Sequence, residues 1–273
     1  DESNADFSIQ AVQTVFHESF ESGAPSWTHA AASGGWVDDW HISSERRRTG
    51  TYSYKCGDPG AGTYHNLCDA WLTSPTIANL PADATLQFYH QIESELSSAF
   101  PDSAYDGGLI EISVDGGAFT RITPMQGYPK TIRFTAGGGN PYTGPLPGVP
   151  CFAGDILSWT PVEIDLAAYA GQTIQLRWRF ASDAGTADEG WYVDDVKIFA
   201  PAAEEFNVTV ASSGADIILR WANLGYPFYR VYHASSASGP FELLDWTSAT
   251  EMTIVNGTSE LKKFYYVVGW DGD

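Results

Sequence analysis

The sequence predicts an all-β protein built from two antiparallel β-sandwiches, a large one followed by a small one. Three observations carry that reading. Short runs rich in Val, Ile, Thr, Tyr, Phe and Trp alternate with Gly, Pro, Asp, Ser and Asn breaks. No long stretch keeps the i, i+3, i+4, i+7 apolar spacing of a helix. Aromatic residues make up 14% of the 273-residue chain, enough to fill sandwich cores.

The elements follow in order. Leu86-Gln87-Phe88-Tyr89-His90, Leu109-Ile110-Glu111-Ile112-Ser113-Val114, Ile174-Gln175-Leu176-Arg177-Trp178-Arg179-Phe180 and Trp191-Tyr192-Val193-Asp194-Asp195-Val196-Lys197-Ile198 each alternate as strands with one face in a core. Asp115-Gly116-Gly117 predicts a hairpin turn after the second run, because glycine supplies positive φ without a Cβ clash. Residues 124–154 form a Pro- and Gly-rich excursion between strands, a place to display a binding function. A break is expected at Pro201-Ala202-Ala203-Glu204-Glu205, dividing the chain into 1–200 and 204–273. The second piece shows four strand runs, around Asn207-Val208-Thr209-Val210, Ile217-Ile218-Leu219-Arg220-Trp221, Phe228-Tyr229-Arg230-Val231-Tyr232-His233 and Phe264-Tyr265-Tyr266-Val267-Val268.

Charge narrows the partners. With 34 acidic and 14 basic side chains the net charge is −20, which disfavours nucleic acid and anionic membranes. No run reaches the roughly 18 apolar residues of a membrane span, so membrane insertion is not expected. An aromatic- and Gly-rich, Lys-poor composition together with possible disulfide usage points to an extracellular protein, secreted or cell-surface attached. Of the three cysteines, Cys56 and Cys68 are close enough in sequence for a disulfide, leaving Cys151 over; other pairings stay open. Asn207 and Asn256 match the glycosylation acceptor pattern.

Two resemblances add to this reading. Leu219-Arg220-Trp221, Tyr229-Arg230-Val231-Tyr232, Gly239-Pro240-Phe241 and Phe264-Tyr265-Tyr266-Val267-Val268 make the second piece resemble a fibronectin type III module. In the first piece the sequence markers are Ser19-Phe20-Glu21-Ser22-Gly23, Gly50-Thr51-Tyr52-Ser53-Tyr54-Lys55, Leu72-Thr73-Ser74-Pro75, Tyr105-Asp106-Gly107-Gly108 and Gly190-Trp191-Tyr192-Val193-Asp194-Asp195-Val196. In that order and spacing they resemble the MAM-like jelly roll that follows the catalytic domain of secreted immune inhibitor A-type metallopeptidases, and that also occurs in bacterial surface adhesins. The chain departs from that pattern in a longer segment at 94–104 and in its three cysteines.

The resemblance implies a structural Ca2+ bound by Glu21, Asp194, Asp195 and the Lys55 carbonyl, with Glu18 as the local alternative. Calcium takes six to eight oxygen ligands, and adjacent acids in an apolar strand are costly without a cation. Asp106 and Glu95 are candidates for a second ion, against a solvated turn. Trp36, Trp40, Tyr64 and Trp71 are candidates for an aromatic sugar platform, against a core role. Catalysis is not expected: His17-Glu18-Ser19-Phe20-Glu21 starts like a zinc-protease motif but has Glu where the second His is needed. The resulting expectation is a calcium-stabilised, non-catalytic binding or accessory module of a larger protein such as a metallopeptidase, engaging protein or glycan. A carbohydrate-binding module and a self-associating adhesin or filament subunit are the alternatives.

Overall fold

A computed structural model describes residues 9–32, 34–59, 62–134, 142, 144–206, 208–223, 225–235, 241–255 and 264–270. Its strands in chain order are β1 (Ile9–Glu18), β2 (Thr28–Ala31), β3 (Trp40–Ser43), β4 (Ser53–Cys56), β5 (Asp69–Thr73), β6 (Thr85–Glu93), β7 (Ser103–Ala104), β8 (Gly107–Val114), β9 (Thr120–Arg121) and β10 (Lys130–Ile132). They continue as β11 (Pro150–Cys151), β12 (Ile156–Asp165), β13 (Ile174–Ala181), β14 (Gly190–Phe206), β15 (Thr209–Ser213), β16 (Asp216–Arg220), β17 (Phe228–Ala234), β18 (Glu242–Thr247), β19 (Glu251–Ile254) and β20 (Phe264–Trp270). The one helical turn among the described residues is Ala167–Tyr169.

The chain forms two compact units, Thr14–Ala200 and Pro201–Asp273, with the described residues up to Gln13 grouped with the second. In the larger unit one sheet runs β12-β6-β14-β4-β3, with β1 also on β14, and a second runs β2-β5-β13-β8-β9. They enclose a single core as a jelly-roll sandwich. Strand alternation explains the layering: on β13, Ile174, Leu176, Trp178 and Phe180 are buried while Gln175, Arg177 and Arg179 turn outward. Trp178 meets Trp27 at 5.3 Å and Phe88 at 5.5 Å, tilted and edge-on as ring quadrupoles prefer. The Tyr105-Asp106-Gly107-Gly108 glycines answer a close approach: a Cβ at Gly108 would lie 2.4 Å from the Trp191 ring. After β8 Asp115 and Gly116 both take positive φ and the Gly117 N–H donates to the Val114 carbonyl at 2.9 Å, closing a tight turn.

A third, small sheet, β11-β10-β7, grows from the 94–104 and 124–154 segments. The smaller unit has two three-stranded sheets, β15-β16-β19 and β18-β17-β20, around Leu219, Trp221, Tyr229, Val231, Tyr265 and Val267.

β14 runs on through Pro201 to Phe206, and the two units divide after Ala200 within that strand. One expectation is corrected. The smaller unit has six described strands instead of four: β18 (Glu-Leu-Leu-Asp-Trp-Thr) does not alternate, and β19 alternates over only four residues, Met252 and Ile254 facing the core. Asn207, Asn256, Gly239, Pro240 and residues 271–273 lie outside the described residues. Among the described residues no helix is long and apolar enough to cross a membrane.

Candidate metal centre

The sequence-predicted acids fall into two neighbourhoods. In the first, Asp106 sits wholly buried between β7 and β8. Its Oδ2 accepts from the Tyr64 hydroxyl at 2.7 Å and its Oδ1 from the Asp183 backbone N–H at 2.8 Å. Glu95 approaches from the turn after β6: its own N–H donates to the Tyr64 oxygen at 3.2 Å and its Oε2 accepts from the Thr186 N–H at 3.2 Å. Asp183 completes the group from the turn after β13. Carboxylate oxygens of Glu95, Asp106 and Asp183 all lie within 4.8 Å of one another, the one such acidic group among the described residues.

The field there opposes further negative charge. Burial, reinforced by Asp183 and Glu95, pushes the Asp106 carboxyl up to about 8. Burial and Asp183 also raise Glu95. Two carboxyls raised in this way beside a third are what a hard cation relieves, and an all-oxygen donor set fits calcium better than a softer metal. Asp183 is the member of the group that the sequence reading set aside. Its Oδ1 also accepts from the Gly185 N–H at 2.6 Å, so turn chemistry alone explains an aspartate at that position.

The second neighbourhood is the segment between β3 and β4. Asp194 is fully buried on β14; its Oδ2 accepts the Arg48 N–H at 2.8 Å and the Thr49 N–H at 3.4 Å, and its Oδ1 the Asp195 N–H at 2.7 Å. Asp195 meets the Arg48 guanidinium at 2.6 Å and the Thr49 hydroxyl at 2.8 Å. A register shift between Asp194 and Lys197, with Asp195 at φ +48°, turns both acids away from solvent. Burial raises Asp194 to about 6. Further along, Glu21 Oε1 accepts the Thr51 and Tyr52 N–H groups at 2.9 and 2.7 Å. A Cβ at Gly50 would collide with that carboxylate at 2.4 Å. Lys55 stands mid-strand in β4, between His41 of β3 and Tyr192 of β14, and its buried ammonium pairs with Glu45 at 2.5 Å. Glu18 is engaged locally by the Phe20 N–H at 2.7 Å and the Trp27 indole at 3.2 Å. In this structure the four carboxylates of the set pin backbone and neighbouring side chains.

The aromatic platform does not assemble. Trp40 and Tyr64 are 2% and 1% exposed, the first packed on Trp191 and the second on Phe180. Trp36 and Trp71 are half-buried, and the Trp71 ring carries the Arg177 guanidinium at 4.2 Å. Cys56 and Cys68 are free thiols, fully buried, with sulfurs 3.9 Å apart.

With this geometry in place, relatives can be compared. No family model matches the chain. A 190-residue stretch, 68% of the chain, is 27% identical to Bacillopeptidase F of Bacillus subtilis (strain 168), covering 11% of that protein. A 123-residue stretch, 45% of the chain, is 28% identical to the pre-pro-metalloprotease PrtV of Vibrio cholerae serotype O1 (strain M66-2), covering 12% of it. The chain is similar to a small part of two peptidases. It spans about a tenth of the length of these curated relatives. Among solved structures, the K3 cleaved adhesin domain of Lys-gingipain from Porphyromonas gingivalis is 18% identical, with a TM-score of 0.38 over 68% of this chain and 99% of that one. A mannan-recognising carbohydrate-binding module is 14% identical, with a TM-score of 0.38 over 70% of this chain and 99% of that one.

Proposed function

We propose that this chain is a non-catalytic binding region of a larger extracellular, peptidase-associated protein, and that its larger unit is stabilised by calcium. The observation that carries the reading is the convergence of Glu95, Asp106 and Asp183 with no basic side chain bonded to them among the described residues. Calcium there would tie the turn after β6, the β7–β8 connection and the turn after β13 together, with water completing its oxygen shell. Similarity to about a tenth of two peptidases supports an accessory role beside a separate catalytic part. The smaller unit, with two three-stranded sheets around Trp221, supports the fibronectin type III-like reading.

The set of Glu21, Asp194, Asp195 and the Lys55 carbonyl, with Glu18, is proposed as a second locus. An ion there would have to displace Arg48 from Asp195. The test is thermal unfolding of the full chain in EDTA and then in excess calcium, for the wild type, Asp106→Asn and Asp194→Asn. A calcium-dependent rise that Asp106→Asn abolishes and Asp194→Asn retains assigns the ion to the trio. The opposite pattern assigns it to the second locus, and a wild type indifferent to calcium overturns the metal reading.

A further inference from the structure

The two segments richest in departures from ordinary strand pattern, 94–104 and 124–154, are built onto one another. β7 pairs in parallel with β10, Thr131 opposite Ser103 and Ile132 opposite Ala104, and β11 closes the other side. The Thr131 N–H donates to the Asp102 carbonyl at 3.0 Å and the Arg133 N–H to the Ala104 carbonyl at 2.9 Å, fixing the register on both sides. Beneath lies a separate small core of Ala104, Ile132, Tyr142, Cys151 and Ala153. Two loop segments that merely joined strands would need neither a sheet nor a core of their own.

On this small sheet lies an open cavity of about 460 Å³, lined by Phe100, Asp102 and Ser103 from one segment and by residues 131–134 from the other. That volume falls within the ~300–1,000 Å³ typical of small-ligand sites. Phe100 is 53% exposed and Phe134 67%, the latter the more exposed of any phenylalanine, tyrosine or tryptophan described. Phe134 is held by its backing: Gly148, at φ +74°, could not carry a Cβ without meeting the ring at 2.4 Å. The Arg133 guanidinium lies 4.3 Å from the Phe100 centroid and 5.5 Å from that of Tyr105.

The charge on Arg133 is the decisive feature. In the same unit Arg46, Arg48, Lys55, Arg177 and Arg179 each sit in an ion pair, whereas Arg47, Arg121, Lys130 and Lys197 show none among the described residues but do not line the cavity. Arg133 shows no ion pair among the described residues and only one long bond, to the Ser97 hydroxyl at 3.4 Å. A chain with 20 surplus negative charges has left this guanidinium without a carboxylate, stacked on a ring, at the mouth of a cavity. A planar guanidinium matches a carboxylate with two parallel hydrogen bonds. Exposed phenyl faces suit the C–H face of a pyranose, and Asp102, Ser103 and Thr131 offer hydrogen bonds to hydroxyls.

We propose that this cleft binds a carboxylate-bearing sugar, a uronate residue of an extracellular glycan, with Arg133 on the carboxylate and Phe100 and Phe134 against the ring. The proposal rests on reading the chain as a binding region and names the ligand class. Isothermal titration calorimetry of the full chain in excess calcium would use trigalacturonate, its methyl ester and mannotriose as probes. The acid should bind saturably and the ester and the neutral trisaccharide about tenfold more weakly or not at all. Arg133→Ala and Phe134→Ala should each weaken the acid about tenfold while Phe134→Tyr retains it; the Phe134 variants should keep the melting temperature because that ring is exposed, and Arg133→Lys, which keeps the charge but not the planar fork, should bind more weakly than the wild type at the same melting temperature. No binding of the acid, equal binding of the ester, or unaltered affinity in the two alanine variants overturns the cleft. The calcium response is read at Asp106, a separate group, so a persisting calcium shift beside an empty titration curve defeats this proposal and leaves the accessory-module reading standing.

Discussion

Asp106 is a carboxyl that folding makes harder to ionise, and the sign of the consequence can be worked out. Its folded value is about 8 against an ordinary 3.8, so between those values the native state holds more protons than the unfolded chain. Metal-free stability from this group is therefore present below the unfolded value and is lost as pH rises toward about 8. Urea unfolding in EDTA should give a midpoint that falls from about pH 5 to about pH 8, and Asp106→Asn should flatten that fall. Calcium must find its ligands deprotonated, so its stabilisation should grow over the same interval. His90 works in the opposite direction. Burial holds it down to about 3, and its Nδ1 accepts from the Trp191 indole at 3.2 Å, so stability from His90 is lost as pH falls from its ordinary 6.5 toward 3. At this scale Asp106 was legible because it precedes Gly107-Gly108, and Glu95 because it lies in the acidic stretch just upstream. Asp183 was not, since 77 residues separate it from Asp106 and a local turn accounts for it.

Among elements, β14 shows how far periodicity reaches. Trp191 and Val193 are buried, then Val196 and Ile198, so the alternation changes parity at the register shift after Asp194, which also puts two acids in a row out of solvent. Alternation could not reveal a bulge, whose extra residue breaks period two. The buried Asp194 carboxylate satisfies three backbone N–H groups, two of them on the segment joining β3 to β4. Asp194→Ala should therefore cost about 3 kcal/mol in urea unfolding, through donors left without acceptors; a loss under about 1 kcal/mol would show that water replaces the carboxylate. The Cys56–Cys68 contact ties β4 to the start of β5. Burial and the neighbouring Cys68 sulfur disfavour the Cys56 thiolate, so a bridge has to form while the chain is still folding. Refolding with glutathione disulfide, which takes up the two electrons and two protons of the thiols, should yield a species about 2 Da lighter. It should be about 3 kcal/mol more stable than the reduced protein, and Cys56→Ser should remove both effects. An unchanged mass would mean that the sulfurs cannot close from 3.9 Å to the ~2.05 Å of a bond.

The whole molecule joins two units with separate hydrophobic cores, one around Trp178, Phe88 and Trp191 and the other around Trp221, Tyr229 and Val231. Period-two runs and turn residues made both legible, because a β-sandwich writes its inner faces directly into the sequence. The 94–104 and 124–154 sheet was not legible: its strands are two or three residues long and pair with partners far away in the chain. Separate cores lead to a calorimetric expectation. The full chain should melt in two transitions, the larger unit contributing roughly 130 kcal/mol of enthalpy and the smaller roughly 50, at about 0.7 kcal/mol per residue. The acidic trio belongs wholly to the larger unit. Calcium at about 100 times its dissociation constant adds about 2.7 kcal/mol, which for a unit of this size raises its melting temperature by about 5–10 °C. The smaller transition should stay where it is. Equal movement of both transitions would mean instead that calcium acts by general neutralisation of the −20 charge, in which case magnesium or concentrated sodium chloride would reproduce the shift.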